Sequence, residues 1–94
     1  MANNWNVAQY AILVHMLAQV NRLEVGELVH VIADAHIYDR HIPLVEELIR
    51  RKSYSAPRLI INPDVQNFYD FKVSDFRLEG YQSGTQIKKI PVAV

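Results

Sequence analysis

Leu28-Val29-His30-Val31-Ile32-Ala33-Asp34-Ala35-His36-Ile37-Tyr38 is the stretch on which the reading of this chain turns. Its first six residues are rich in β-branched types and too few for a helix, which predicts a strand. Apart from His30 both faces of that strand are apolar, the pattern of an interior strand covered on two sides. Asp34 to Tyr38 continues it in a more polar register. There His36 and Tyr38, two apart in extended chain, share one face. About 6–7 Å along that face separates an imidazole from a phenol. Each can donate or accept a hydrogen bond, so the pair suits either a clamp on a sugar hydroxyl or a self-satisfied strand end.

Toward the start of the chain, Asn6 to Arg22 predicts a helix with almost no polar stripe. Val7, Tyr10, Ala11, Leu13, Val14, Leu17, Ala18 and Val20 are apolar or nearly so, and Ile12 and Met16 fill the face where charge is usual. A helix apolar nearly all round is a buried one. Ninety-four residues can hardly cover it on every side, a first hint that the chain is part of something larger. Asn6 reads as its N-cap, and Leu23 to Glu27 as a connection turning at Gly26.

Toward the end of the chain, Pro43 suits a helix first turn, and Leu44, Val45, Leu48 and Ile49 give that helix one apolar face. Glu46–Arg50 and Glu47–Arg51 stand at i,i+4 in the favourable acid-first order, and the helix is expected to end near Lys52. Arg58-Leu59-Ile60-Ile61 predicts a strand stopped by Asn62-Pro63-Asp64. Val65 to Phe71 is aromatic and fits more than one structure. Ser74-Asp75-Phe76 reads as one helical turn capped by Ser74, Arg77 to Tyr81 as a strand, and the chain finishes in an extended run to Val94 after the loop Gln82–Gln86.

Half the residues are hydrophobic and 21% are charged, which excludes an intrinsically disordered chain. Ten basic and ten acidic residues balance, so no general basic field points to nucleic acid. The first half is net acidic and the second net basic, a modest asymmetry typical of solvated faces. Trp5 to Val20, the longest nearly uncharged stretch, contains Gln9, His15 and Gln19 and falls short of the roughly 20 apolar residues of a membrane span. No basic leader with a short apolar core is present, which predicts a cytoplasmic protein. There is no cysteine, hence no disulfide, thiolate metal site or cysteine nucleophile. Asp34, His36, Asp39 and His41 lack the spacing of recognised metal sites, and no metal is expected. Arg50-Arg51-Lys52 ends a helix whose dipole favours cations there, and His15 and His30 are expected as hydrogen-bonded interior residues.

Gly26 to Tyr38 as a whole resembles thymidylate synthase. Trp5-Asn6-Val7-Ala8-Gln9-Tyr10 resembles that family's entry to its central helix, Asp70 to Tyr81 its aromatic and acidic stretch, and Pro91-Val92-Ala93-Val94 its closing tetrapeptide. The resemblance runs from Asn4 onward and is to the C-terminal third of the enzyme. It implies an α+β fold over residues 1–94, a thymidylate synthase-like mixed β-sheet with a buried central helix, as an incomplete domain. It also implies that Asn6 meets the uracil ring of dUMP, that His36 and Tyr38 hold its 3′-hydroxyl, and that Ala93 and Val94 close over the folate. The family transfers a one-carbon unit from methylenetetrahydrofolate to dUMP, giving dTMP, and uses a cysteine thiolate that adds to C6 of the pyrimidine.

The departures carry their own expectations. Without a cysteine nucleophile, and with the family's phosphate-binding arginines lying before the region covered, the chain alone is expected to be inactive, and no catalytic residue is assigned. Asn4-Trp5 stands where Pro-Phe is usual, and the loop Gln82–Gln86 lacks the family's prolines and histidine. The expected partners are dUMP and folate in a complete enzyme, with a homo-oligomer or association with a missing N-terminal portion. The alternative is a non-catalytic nucleotide-binding or oligomeric interaction module derived from the same fold.

Overall fold

The computed structural model describes residues 3–92. Helix α1 spans Asn3–Val20, built largely from strong helix formers such as Ala8, Gln9, Ala11, Leu13, Met16 and Leu17. Asn6 therefore lies within its opening turns and is not its cap. An apolar pattern locates a helix but leaves its first turn loose. The other end closes on a Schellman motif: the Leu23 N–H donates to the Ala18 carbonyl at 2.8 Å and the Arg22 N–H to that of Gln19 at 3.2 Å. Arg22 takes the left-handed position, φ 54°, where glycine is the usual occupant.

Residues 23–38 follow with neither helix nor strand, which corrects the expected strand at Leu28–Ala33. β-Branched composition supplies the tendency, but a strand exists only where a neighbour takes its backbone N–H and C=O groups. Among the described residues no such neighbour lies alongside, and the segment is exposed. His30 is accordingly at the surface and not interior, while His15 on α1 is half-buried.

A 3-10 turn at Asp39–His41 leads into helix α2, Ile42–Arg50, with Pro43 in the first turn. Asp39, which stands where a cap would be useful, is instead the first residue of that turn. The acid-first pairs form as expected, Glu46–Arg50 at 3.7 Å and Glu47–Arg51 at 2.7 Å. The helix stops two residues short of Lys52, because the Arg51 backbone is extended; its side-chain Nη1 donates to the Thr85 carbonyl at 2.6 Å.

Strands β1, Arg58–Ile61, and β2, Phe76–Glu79, pair antiparallel with Arg58 opposite Glu79 and Ile61 opposite Phe76. Two 3-10 turns, Phe68–Asp70 and Val73–Asp75, join them. In the second, Ser74 is internal and not the cap. The Asp75 carboxylate reaches back to accept from the Lys72 N–H at 2.8 Å and from the Asn62 amide at 3.1 Å. Phe71 stacks on Phe76 with ring centres 5.5 Å apart, and Phe68 meets Phe71 at 6.3 Å. Gln19 ties α1 to this unit by donating to the carbonyls of Asn62 and Val65 at 2.9 and 2.8 Å.

Only Ala18 and His41 are buried among the described residues. The accessible surface is 8493 Å², against about 5,600 Å² for a closed monomer of this mass. The radius of gyration, 16.6 Å, likewise exceeds the roughly 13 Å of a compact 100-residue domain. Trp5 is 81% exposed and Val31 82%. Many apolar residues that composition assigns to a core stand open in the isolated chain, among them Trp5, Tyr10, Ile12 and Leu17 on α1, while most of that helix's other apolar residues are half-buried.

Candidate functional site

The approach to α2 brings three aromatic or imidazole side chains into one row. Extended chain from His36 to Tyr38 puts both on one side, and their rings meet edge to face at 5.1 Å. The 3-10 turn then folds His41 back so that its ring meets Tyr38 at 5.7 Å, again edge to face. His36 Nδ1 lies 3.0 Å from the Asp34 carbonyl and 3.6 Å from the Asp34 carboxylate, which orients the imidazole from behind.

These residues line an open hollow of about 320 Å³ together with Asn4, Ile37, Val45 and Leu48. The N-terminal end of α1 and the inner face of α2 thus form its walls. Asn6, two residues beyond Asn4 on the same helix, is exposed and does not line the hollow, since residues two apart on a helix point to different faces. A second hollow of about 610 Å³ shares Asn4 and Leu48 with the first and is walled by Trp5, Tyr81, Ile87 and Ile90.

The structure therefore unites His36 and Tyr38 and leaves Asn6 outside their hollow. Ala93 and Val94 lie outside the described residues. Among the described residues no three His, Cys, Asp or Glu side chains converge as metal ligands, and Arg51 is committed to Glu47 and Thr85. His41 is the residue whose partner spacing alone does not reveal. Grouped by sequence with Asp34, His36 and Asp39, it instead points its Nε2 at the Pro91 carbonyl, 2.7 Å away and fifty positions along the chain. Nothing local in the sequence encodes that contact.

An α+β fragment with two adjoining open hollows, one lined by His36, Tyr38 and His41 and the other by Trp5 and Tyr81, is the class these features define. The thymidylate synthase family model matches residues 1–94. The chain is 46% identical over 87 residues to a thymidylate synthase of Bacillus licheniformis, covering 93% of this chain and 31% of that protein. It superposes on the structure of the thermostable thymidylate synthase A of Bacillus subtilis with a TM-score of 0.90 at 42% identity, over 95% of this chain and 32% of that one. The chain belongs to the thymidylate synthase family, and it spans about 31% of the length of the curated relative it matches. Its α+β fold is that of an incomplete thymidylate synthase domain, to whose sheet the described residues contribute one antiparallel pair. No helix among the described residues is long and apolar enough to cross a membrane.

Proposed function

We propose that residues 1–94 form the C-terminal portion of a thymidylate synthase-like methyltransferase, a cytoplasmic enzyme that converts dUMP to dTMP with methylenetetrahydrofolate. The observation that carries this reading is the His36–Tyr38 pair, 5.1 Å apart on the wall of an open hollow, in a chain of that family. A phenol and an imidazole so placed can share one ribose hydroxyl, each donating or accepting as the other requires. Asn6 offers the uracil ring one donor and one acceptor from a single amide. Ala93 and Val94 close the site against water.

The larger hollow fits the folate: its volume is ordinary for a small-molecule site, and Trp5 and Tyr81 give it flat aromatic walls. Trp5, Tyr81, Ile87 and Ile90 would hold it. When bound, methylenetetrahydrofolate supplies the one-carbon unit and the reducing equivalent that become the methyl group of dTMP. The chain has no cysteine, and its serines show no adjacent base and orienting group, so it supplies binding and closure while the nucleophile and the phosphate-binding arginines come from an N-terminal portion. Its open apolar surface supports association with that portion or with a second copy.

The test is a spectrophotometric assay of dihydrofolate formation. The purified chain should give no turnover, and adding an N-terminal portion that carries the cysteine and arginines should restore it. Turnover by the chain alone, free of contaminating enzyme, would overturn the assignment. The same exposed surface favours a second reading, a non-catalytic interaction module. A reconstituted complex that assembles and binds dUMP without turnover would favour that one.

A further inference from the structure

We infer that His41 is a positioning residue that fixes the C-terminal tail beside the His36–Tyr38 pair. It is the one buried polar side chain among the described residues, 9% exposed, in a chain that buries almost nothing else. A carbonyl can only accept, so the 2.7 Å contact with Pro91 requires the proton on Nε2. The opposite edge of the relationship is the Tyr38 ring at 5.7 Å, which in turn meets His36 at 5.1 Å. Tail carbonyl, His41, Tyr38 and His36 thus form one continuous row.

The tail itself bears the mark of being held. Lys89 has φ 58°, a left-handed conformation that a non-glycine residue keeps only where its surroundings over-determine it. Pro91 fixes its own φ and lacks an N–H, so the chain leading into this contact is stiffened and has no competing donor there. Arg40, next to His41, reaches the following carbonyl, that of Val92, at 3.4 Å. Two adjacent residues of the 3-10 turn therefore grip two adjacent carbonyls of the tail, at the wall of the hollow that Tyr38 lines.

The position of the tail stands independently of any chemistry. Its consequence for turnover rests on the function proposed above. The intact 94-residue chain is tested first, without nucleotide or folate. Nitrogen-15 NMR of the imidazoles should show His41 as the Nε2–H tautomer with a slowly exchanging ring proton. Ending the chain at Ile90 should abolish that protection and shift the Tyr38 ring signals, although His41 itself is untouched. Carboxypeptidase release of the last residues should accelerate roughly three- to tenfold in His41→Asn, the effect of losing one partly buried hydrogen bond. In His41→Gln, whose amide nitrogen reaches where Nε2 does, the rate should stay within about twofold of the parent, given that the bond is kept.

Equal trimming of the His41→Asn variant and the parent, or Tyr38 signals indifferent to the truncation, would overturn the proposal whatever the outcome of the turnover assay. In the reconstituted enzyme the His41→Asn variant should then lose a similar factor in kcat, with the KM for dUMP little changed and the His41→Gln variant rescued. Loss in KM alone would refute the consequence for turnover and leave the tail contact standing.

Discussion

Exchanging Gln19 for methionine should loosen the junction between α1 and the β1–β2 unit by about 1–2 kcal/mol. The Gln19 amide nitrogen donates both of its protons across that junction, to Asn62 at 2.9 Å and to Val65 at 2.8 Å. Each such bond contributes about 0.5–1.5 kcal/mol net, and the exposed one to Asn62 recovers part of its loss through water. Methionine keeps the length and the apolar stem, so the change isolates the two hydrogen bonds. Amide hydrogen exchange reads the local opening directly. Protection at Asn62, Val65 and the last turn of α1 should fall about five- to thirtyfold, the equivalent of that free energy.

Gln19→Glu makes the sharper case. Its carboxylate would face two carbonyl oxygens with no proton to offer, whereas the neutral acid can still donate to one of them. The introduced group therefore has a folded pKa above its unfolded value of about 4.3. A raised pKa means the variant is least impaired below about pH 4.3 and loses further stability as pH rises through the folded value. Exchange measured from pH 4 to pH 8 should show the gap from the parent widening upward. A gap that is constant or narrows with rising pH, or a methionine variant with unchanged protection, would refute the claim that these two bonds set the helix against the sheet.

Asp75 is held below its ordinary 3.8 by the Lys72 backbone N–H first and then by the Asn62 amide. It should stabilise the β2 end above pH 3.8 and lose that contribution as pH falls through its lowered value. Asp75→Asn should flatten the acid limb of a pH-dependent unfolding series. Arg22→Gly, at φ 54°, should stabilise the C-terminus of α1 by up to about 1 kcal/mol through relief of left-handed strain, read by urea denaturation followed by circular dichroism. Gly80→Ala, at φ 72° with open space where the Cβ would go, should cost about 1 kcal/mol for backbone strain alone. In the reconstituted enzyme, Tyr38→Phe should mainly weaken dUMP binding, since the ribose contact acts on substrate and transition state alike. Asn6→Ala should act more on kcat, because the ring's hydrogen bonds change as its electrons shift. Steady-state kinetics separate the two.

Local chemistry made much of this chain legible in advance. The run of helix formers from Ala8 to Gln19 and the acid-first pairs of α2 act within a few residues, so spacing alone located both helices. β1 emerged within its expected bounds, while β2 began one residue early at Phe76 and stopped at Glu79, two residues short of Tyr81, because Gly80, in a left-handed conformation, breaks the strand there. His36 and Tyr38 share a side because two-residue spacing in extended chain requires it. What tertiary structure alone decided depends on partners remote in sequence or outside the chain. Leu28–Ala33 has the composition of a strand and, among the described residues, no ladder to join. The helix expected to be buried lies open over much of its length because the described residues do not enclose it. His41 carries no local sign of its partner, the Pro91 carbonyl fifty residues away. Periodicity reports which face of an element is apolar, but what covers that face, and which distant carbonyl meets a given proton, is decided only when the chain folds back on itself.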